Sequence, residues 1–88
     1  MAELAFSRRF LRELAEWEGN ASPSDVALLD ETLARIAENP SLPGRFPSFY
    51  EPATPSYLYR CETVLIHYRP RGDAVDFLNL FFERVGRR

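Results

Sequence analysis

Few side chains in this sequence could carry out chemistry, and most of them are arginines. All 11 basic residues are arginine, so every fixed positive charge is a guanidinium, which binds anions but cannot act as a general base. His67 is the only histidine and could move a proton near neutral pH, although a histidine in an apolar strand is more often structural. Cys61 is the only cysteine, which excludes an internal disulfide framework and a cysteine-based zinc site. We expect Cys61 to be a structural thiol.

The charges are unevenly distributed along the 88 residues. Residues 1–44 contain eight acids and four arginines, a net charge of −4, whereas residues 45–88 contain five acids and seven arginines, a net charge of +2. The whole chain, at −2, lacks the positive charge on which strong non-specific nucleic-acid binding depends. The basic second half still allows a local contact with an anionic partner.

Length and composition predict a single globular domain over residues 1–88. Hydrophobic residues make up 45% of the chain, an ordinary value that argues against disorder. No run approaches the roughly 18 apolar residues that suggest a membrane span, and charged residues interrupt the first ten positions, unlike a signal peptide. A cytoplasmic location is therefore the expectation.

Two helices come first among the elements that could position these side chains. Ser7 can cap a first helix, with Phe6 packing on Leu11 and Gly19-Asn20 ending it. Ser22-Pro23-Ser24-Asp25 offers a cap, a proline at the first helical position and an acid that can close a capping box. Asn39-Pro40 ends this second helix, because the residue before proline avoids the helical region. A short connection makes the two helices an antiparallel hairpin.

The second half predicts strands. Five prolines between Pro40 and Ser56 exclude a helix or central strand there, although a short edge strand is possible. Residues 57–60 and 63–69 are rich in β-branched and aromatic residues, with a kink or a tight turn near Cys61-Glu62. Pro70-Arg71-Gly72-Asp73 signals a second turn, and residues 74–83 resemble a central strand covered on both faces. The sum is an α+β fold in which an N-terminal helical hairpin packs on a small curved antiparallel β-sheet.

Several short segments follow one another in an order that resembles a known family. They are Ala5-Phe6-Ser7, Asn39-Pro40 with Gly44, Leu65-Ile66-His67-Tyr68-Arg69, and Gly72-Asp73-Ala74-Val75 with Leu78. Together they resemble the RelE/ParE superfamily of type II toxin–antitoxin toxins. They correspond there to an opening strand that runs into the first helix, an "NP…G" that closes the second, the "LI-x-YR" strand of the ParE branch, and the last turn and strand.

The resemblance implies the fold described above and a cognate antitoxin that wraps the toxin in a hetero-oligomer, with no cofactor or metal. RelE-like members cut mRNA in the ribosomal A site, whereas ParE-like members poison DNA gyrase without catalytic chemistry of their own. We expect a ParE-like toxin. The basic half and the last strand would contact the target or the antitoxin, through Arg69, Phe82, Arg84, Arg87 and Arg88.

A RelE-like endoribonuclease is the alternative, with a site formed by Arg60, His67, Arg84 and Glu83, in which His67 or Glu83 carries the proton. Leu65 stands where that branch has an arginine, three residues before Tyr68, and the lysines of its basic loop are missing. The ParE branch has its own departures, Asn79 in place of a common arginine and Phe82 in place of a common histidine.

Two further alternatives stay open. The chain could be a non-toxic family member that is kept for binding its partner. Arg60 and Arg69 could also do no more than pair with Glu62, Asp73 or Asp76 across strands, an interaction worth less than about 1 kcal/mol.

Overall fold

The structure, a computed structural model, describes residues 3–48 and 53–83. Their two helices and five strands follow the order β1 (Glu3–Phe6), α1 (Arg8–Glu18), α2 (Pro23–Glu38), β2 (Phe46–Ser48), β3 (Ser56–Cys61), β4 (Val64–Arg71) and β5 (Ala74–Phe82). The α+β class is therefore confirmed. Besides the three long strands that the pattern predicts, β2 is the short edge strand that the segment between Pro40 and Ser56 allows. Strand β1, ahead of the helices, lies where the resemblance implies an opening strand.

Both helices begin at the serine caps that the sequence predicts. The Oγ of Ser7 accepts a hydrogen bond from the backbone N–H of Phe10 at 2.9 Å. At the second helix, Ser22 and Asp25 form the complete capping box, with Pro23 in the first turn. That helix ends at Glu38, directly before the Asn39-Pro40 pair.

The five strands form one mixed sheet in the order β1-β5-β4-β3-β2. The expectation of a purely antiparallel sheet is wrong, because β1 pairs with β5 in the parallel direction, from Glu3 opposite Ala74 to Phe6 opposite Phe77. Neighbouring strands from β2 to β5 are antiparallel, as the tight connections between β3, β4 and β5 require for those three strands. The direction of β1 depends on a partner about 70 residues away, which a local pattern of four residues cannot specify.

Two-residue turns connect the three long strands. Glu62-Thr63 joins β3 to β4, and Gly72-Asp73 joins β4 to β5. Glu62 and Gly72 adopt left-handed conformations, with φ of 57° and 59°. The second turn is shorter than predicted, because Pro70 and Arg71 belong to β4. Proline is tolerated there because that end of β4 pairs only with β5.

The core lies between one face of the sheet and the two helices. Helix α1 packs on β5, and α2 contacts β3, where the buried thiol of Cys61 lies 3.3 Å from the Oγ1 of Thr32. The ring of Phe6 packs on Phe10 and Phe77, with centroids 5.5 and 5.3 Å apart, while Leu11 is half exposed. The buried core cluster comprises Phe10, Leu29, Leu33, Ile36, Leu42, Cys61, Val64, Ile66, Tyr68, Val75, Phe77 and Leu80.

Candidate functional site

The opposite side of the sheet, which faces away from the helices, is called the rear face. Because strand residues alternate between faces and the register fixes their partners, the members of the rear face follow from the core positions. From β3 to β5 they are Ser56, Leu58, Arg60, Leu65, His67, Arg69, Arg71, Ala74, Asp76, Asn79 and Phe81. His67 lies in the middle strand of the sheet, between Leu58 and Asn79.

Three polar side chains are joined by hydrogen bonds across this face. The Nε2 atom of His67 lies 2.9 Å from the Oγ of Ser56, and its Nδ1 atom lies 2.9 Å from the Oδ1 of Asn79. An amide oxygen only accepts, so in the neutral imidazole Nδ1 carries the proton and Nε2 accepts the hydroxyl proton of Ser56. Ser56 and His67 are buried, with 4% and 3% of their surfaces exposed. Burial is tolerated because these polar atoms have partners.

A bulge in β5 brings Asn79 to the rear face. His67 pairs with Asn79 but Tyr68 pairs with Phe77, so Leu78 is an extra residue without a partner in β4. Without it, Asn79 would share the core-facing side of Phe77. The hydroxyl of Ser7 donates to the Leu78 carbonyl at 2.7 Å, which links the bulge to the start of α1. Sequence reasoning did not predict the hydrogen bonds that join Ser56, His67 and Asn79, because only the bulge aligns Asn79 with His67.

A pocket of about 270 Å³ opens beside the three side chains. Ser56, His67 and Asn79 form part of its wall, together with the side chains of two arginines, Arg9 and Arg69. Ser7, Thr54 and Leu78 complete the lining. The pocket therefore combines a hydrogen-bonded serine and histidine with two groups that attract anions.

The two arginines differ in their carboxylate partners. Arg69 lies 3.7 Å from Asp76, a carboxylate that Arg71 binds more closely through two hydrogen bonds of 2.9 and 3.0 Å. These hydrogen bonds from Arg71 hold the pKa of Asp76 below its usual value. Arg9 pairs with Glu13 at 3.3 Å on the surface of α1. The pairing of Arg69 with Asp76 is one of those that the sequence predicts.

The residues of the alternative nuclease site are spread along the sheet. Arg60 is exposed and lies diagonally from His67, about 7 Å away between Cα atoms for such a pair. Glu83 is exposed and follows Asn79 by four residues, or about 13 Å along a strand. Arg84, the fourth member, lies outside the described residues, as do Arg87 and Arg88 of the predicted partner-binding set.

The adjacent phenylalanines of β5 point to opposite sides, as the alternation predicts. Phe82 packs against the core on the helix side, whereas Phe81 lies on the rear face with 43% of its surface exposed. The centroid of its ring lies 6.4 Å from that of His67. Of the two, Phe81 rather than the predicted Phe82 is therefore the aromatic side chain of β5 that a partner could reach, because neither helix packs on the rear face.

Within residues 3–48 and 53–83, no three His, Cys, Asp or Glu side chains are grouped so that they could hold a metal ion. Neither helix that the structure describes is long and apolar enough to cross a membrane. Comparison with protein-family models, curated proteins and solved structures gives no match to this chain.

Proposed function

We propose that this protein is the toxin of a type II toxin–antitoxin pair, ParE-like, which acts in the bacterial cytoplasm by binding a target protein. One observation supports the proposal. Each segment that carries the family resemblance falls on the element that the resemblance assigns to it. The opening strand β1 reaches α1 through the single residue Ser7, Asn39-Pro40 follows α2, and residues 65–69 lie in the middle strand. Gly72-Asp73 forms the last turn.

The ParE-like branch is favoured over the RelE-like one by the state of the candidate nuclease residues. Both ring nitrogens of His67 are engaged, by Ser56 and Asn79, rather than by Arg60. The position that carries an arginine in the nuclease branch is Leu65, which lies on the rear face opposite Arg60 and Phe81. Binding therefore accounts for this face better than phosphodiester cleavage with the residues of that branch.

The contact surface that we propose combines the rear face with the basic end of the chain. Phe81 and Arg60 are exposed there, and Arg69 is partly exposed. A face that carries an exposed aromatic ring and guanidinium groups suits a partner with an acidic, partly apolar segment. DNA gyrase is the target expected from the family, and the cognate antitoxin would cover the same surface.

Purified protein should inhibit DNA supercoiling by gyrase, and Phe81→Ala should weaken the inhibition about tenfold or more, as truncation of a central aromatic contact does. Leu11→Ala is the matched control, because Leu11 is similarly exposed but lies on α1. Supercoiling that is unaffected by a micromolar excess of the protein would contradict the gyrase target.

Two further assays separate the alternatives. Cleavage of mRNA in the ribosomal A site of a translation extract, lost on Arg60→Ala, would instead identify a RelE-like endoribonuclease. Expression without antitoxin in a bacterial host should arrest growth. Unimpaired growth would indicate a non-toxic member that is retained for binding its partner.

A further inference from the structure

The hydrogen-bonded row of Ser56, His67 and Asn79 has no role in the proposed binding of a target protein. Its members come from three strands, and their order is hydroxyl, imidazole and amide. A hydroxyl within hydrogen-bond reach of an imidazole that a third group orients is the arrangement that activates a serine nucleophile. Both donor–acceptor distances, 2.9 Å, lie in the range needed for proton transfer.

The pocket supplies the two other requirements of such a site, space for a substrate and positive charge. Its volume of about 270 Å³ is adjacent to Ser56. Continuing the β3–β4 register by one pair beyond Tyr57 and Tyr68 places Arg69 directly opposite Ser56. Arg69 lines the same pocket, so its guanidinium can stabilise the oxyanion that forms on the carbonyl oxygen of a substrate attacked by the hydroxyl. Arg9 lines the same pocket from α1, and its side chain is 65% exposed.

We propose that Ser56 is the nucleophile of a hydrolytic site that acts on small esters with a negative charge. His67 serves as the base, and Asn79 is a positioning residue that holds the proton on Nδ1. Arg69 stabilises the oxyanion, and Arg9 binds the charge of the substrate. This inference does not depend on the toxin proposal, since gyrase inhibition and ester hydrolysis are measured separately.

The reaction balances without a metal ion, an oxidant or a reductant. The Oγ of Ser56 attacks the ester carbonyl carbon as Nε2 of His67 takes the hydroxyl proton. The tetrahedral intermediate collapses, the bond to the leaving alcohol breaks, and Nε2 returns the proton to the alcohol oxygen. Water then attacks the acyl-serine, gives one proton to Nε2 and releases the acid, after which the proton returns to Ser56. The net reaction is ester and water to acid and alcohol.

A serine-directed fluorophosphonate tests the nucleophile on the full chain. The Oγ of Ser56 should displace fluoride, and intact mass followed by peptide mapping should place the adduct on Ser56. Ser56→Ala should abolish the adduct, and His67→Gln should slow its formation about 100-fold, the usual contribution of a general base. Ser24→Ala is the matched control, because Ser24 lies in the first turn of α2, away from the pocket, and its replacement should leave labelling unchanged.

Asn79 tests positioning separately from folding. Asn79→Asp preserves an acceptor for Nδ1 and should retain labelling, whereas Asn79→Leu should slow it while circular dichroism shows a folded chain. Hydrolysis of the nitrophenyl monoester of succinate, which has a free carboxylate, should exceed that of nitrophenyl acetate. Arg9→Ala should remove this preference by raising KM for the charged ester, with kcat little changed.

Three results would overturn the proposal. They are a folded chain that millimolar fluorophosphonate leaves unlabelled, an adduct on another residue, and equal labelling rates for the parent chain and His67→Gln. Any of these would make the three side chains a structural hydrogen-bond bridge between strands.

Discussion

At the scale of single residues, buried polar groups are arranged so that each has a partner. His67 uses both ring nitrogens on the rear face, while the next residue, Tyr68, points into the core and donates its hydroxyl to the Pro40 carbonyl at 2.6 Å. That bond ties the middle strand to the segment that follows α2. Burial raises the pKa of Tyr68 to about 12, because the phenolate would lose its hydration.

Removing the hydroxyl of Tyr68 should destabilise the fold. Tyr68→Phe leaves the Pro40 carbonyl without its partner, and we expect the free energy of unfolding at pH 7 to fall by about 1–2 kcal/mol in urea titrations. Tyr57→Phe is the control, since Tyr57 is only partly buried and should change stability by less than about 0.5 kcal/mol. Equal losses in the two variants would argue against the Pro40 contact.

The same tyrosine predicts a loss of stability in alkaline solution. A pKa that is higher in the folded state than the unfolded value of about 10 stabilises the protein fully below pH 10 and progressively less as the pH rises to about 12. Absorbance at 295 nm should show an ionisation step near pH 12, and Tyr68→Phe should lack it. A variant that retained this step would assign it to another tyrosine.

The lowered pKa of Asp76 predicts the opposite pH dependence, a loss of stability in acid. Its lowered pKa stabilises the fold above the unfolded value of about 3.9, and the contribution is lost as the pH falls through the lower folded value. Asp76→Asn should reduce stability at pH 7 by less than about 1 kcal/mol, because its partner Arg71 is largely exposed, and the difference should vanish near pH 2. Urea titrations at both pH values measure it, with the exposed Asp30→Asn as control.

At the scale of elements, α1 and β5 are linked at two points where β1 no longer pairs with β5. Pairing with β1 stops at Phe77, after which Ser7 binds the Leu78 carbonyl and a Glu13 oxygen accepts the backbone N–H of Leu80 at 2.8 Å. Side chains of the helix thus satisfy the open edge of β5. The bond from Ser7 is made at the bulged residue itself, next to Asn79, which lies beside His67.

The dual role of Ser7 can be separated from ordinary capping. Ser7→Ala removes the cap of α1 and the hydrogen bond to Leu78, so we expect a loss of about 2 kcal/mol in unfolding free energy. Ser22→Ala removes an exposed cap alone and should cost about 1 kcal/mol. Thermal and urea unfolding of the two variants provide the comparison, and equal losses would mean that the bond to the bulge contributes nothing.

At the scale of the whole molecule, the parallel pairing of β1 with β5 joins the beginning of the described chain to its last strand. This pairing sets the position of Phe6, which lies opposite Phe77. Its ring packs on Phe77 and Phe10. Helices α1 and α2 belong to the acidic half of the sequence, and strands β2 to β5 belong to the basic half. Counted by element, α2 carries a net charge of −3 and strands β2 to β5 carry +2, whereas α1 has three arginines and three glutamates and is neutral. The predicted separation of charge between helices and sheet therefore comes from α2 alone.

Because β1 contacts the core through Phe6, we expect truncation of two similarly exposed side chains, Phe6 and Leu11, to reduce stability unequally. Phe6→Ala removes the ring contacts that join β1 to the core, and we expect a loss of about 2 kcal/mol in unfolding free energy. Leu11→Ala, at a position with 50% exposure, should cost less than about 0.5 kcal/mol. If Leu11→Ala were the more damaging change in urea unfolding, the sequence-based pairing of Phe6 with Leu11 would be correct instead.

The sequence by itself determined the elements whose signals are local. Serine caps, a proline in the first helical turn and Asn39-Pro40 act through neighbours within four residues, so both helices and their ends were predictable. The β-branched and aromatic runs and the Gly72-Asp73 turn predicted the three long strands for the same reason. His67 could be singled out as a candidate, but its partners could not.

Only the tertiary structure decided what depends on distant pairing. The direction of β1 is set by hydrogen bonding to a strand about 70 residues away, and a run of four residues carries no information about it. The bulge at Leu78 reverses the facing of everything after it, so period-two reasoning from Phe77 puts Asn79 on the wrong side. Ser56, His67 and Asn79 therefore meet because three strands align in one register, which is a property of the sheet rather than of any segment of the sequence.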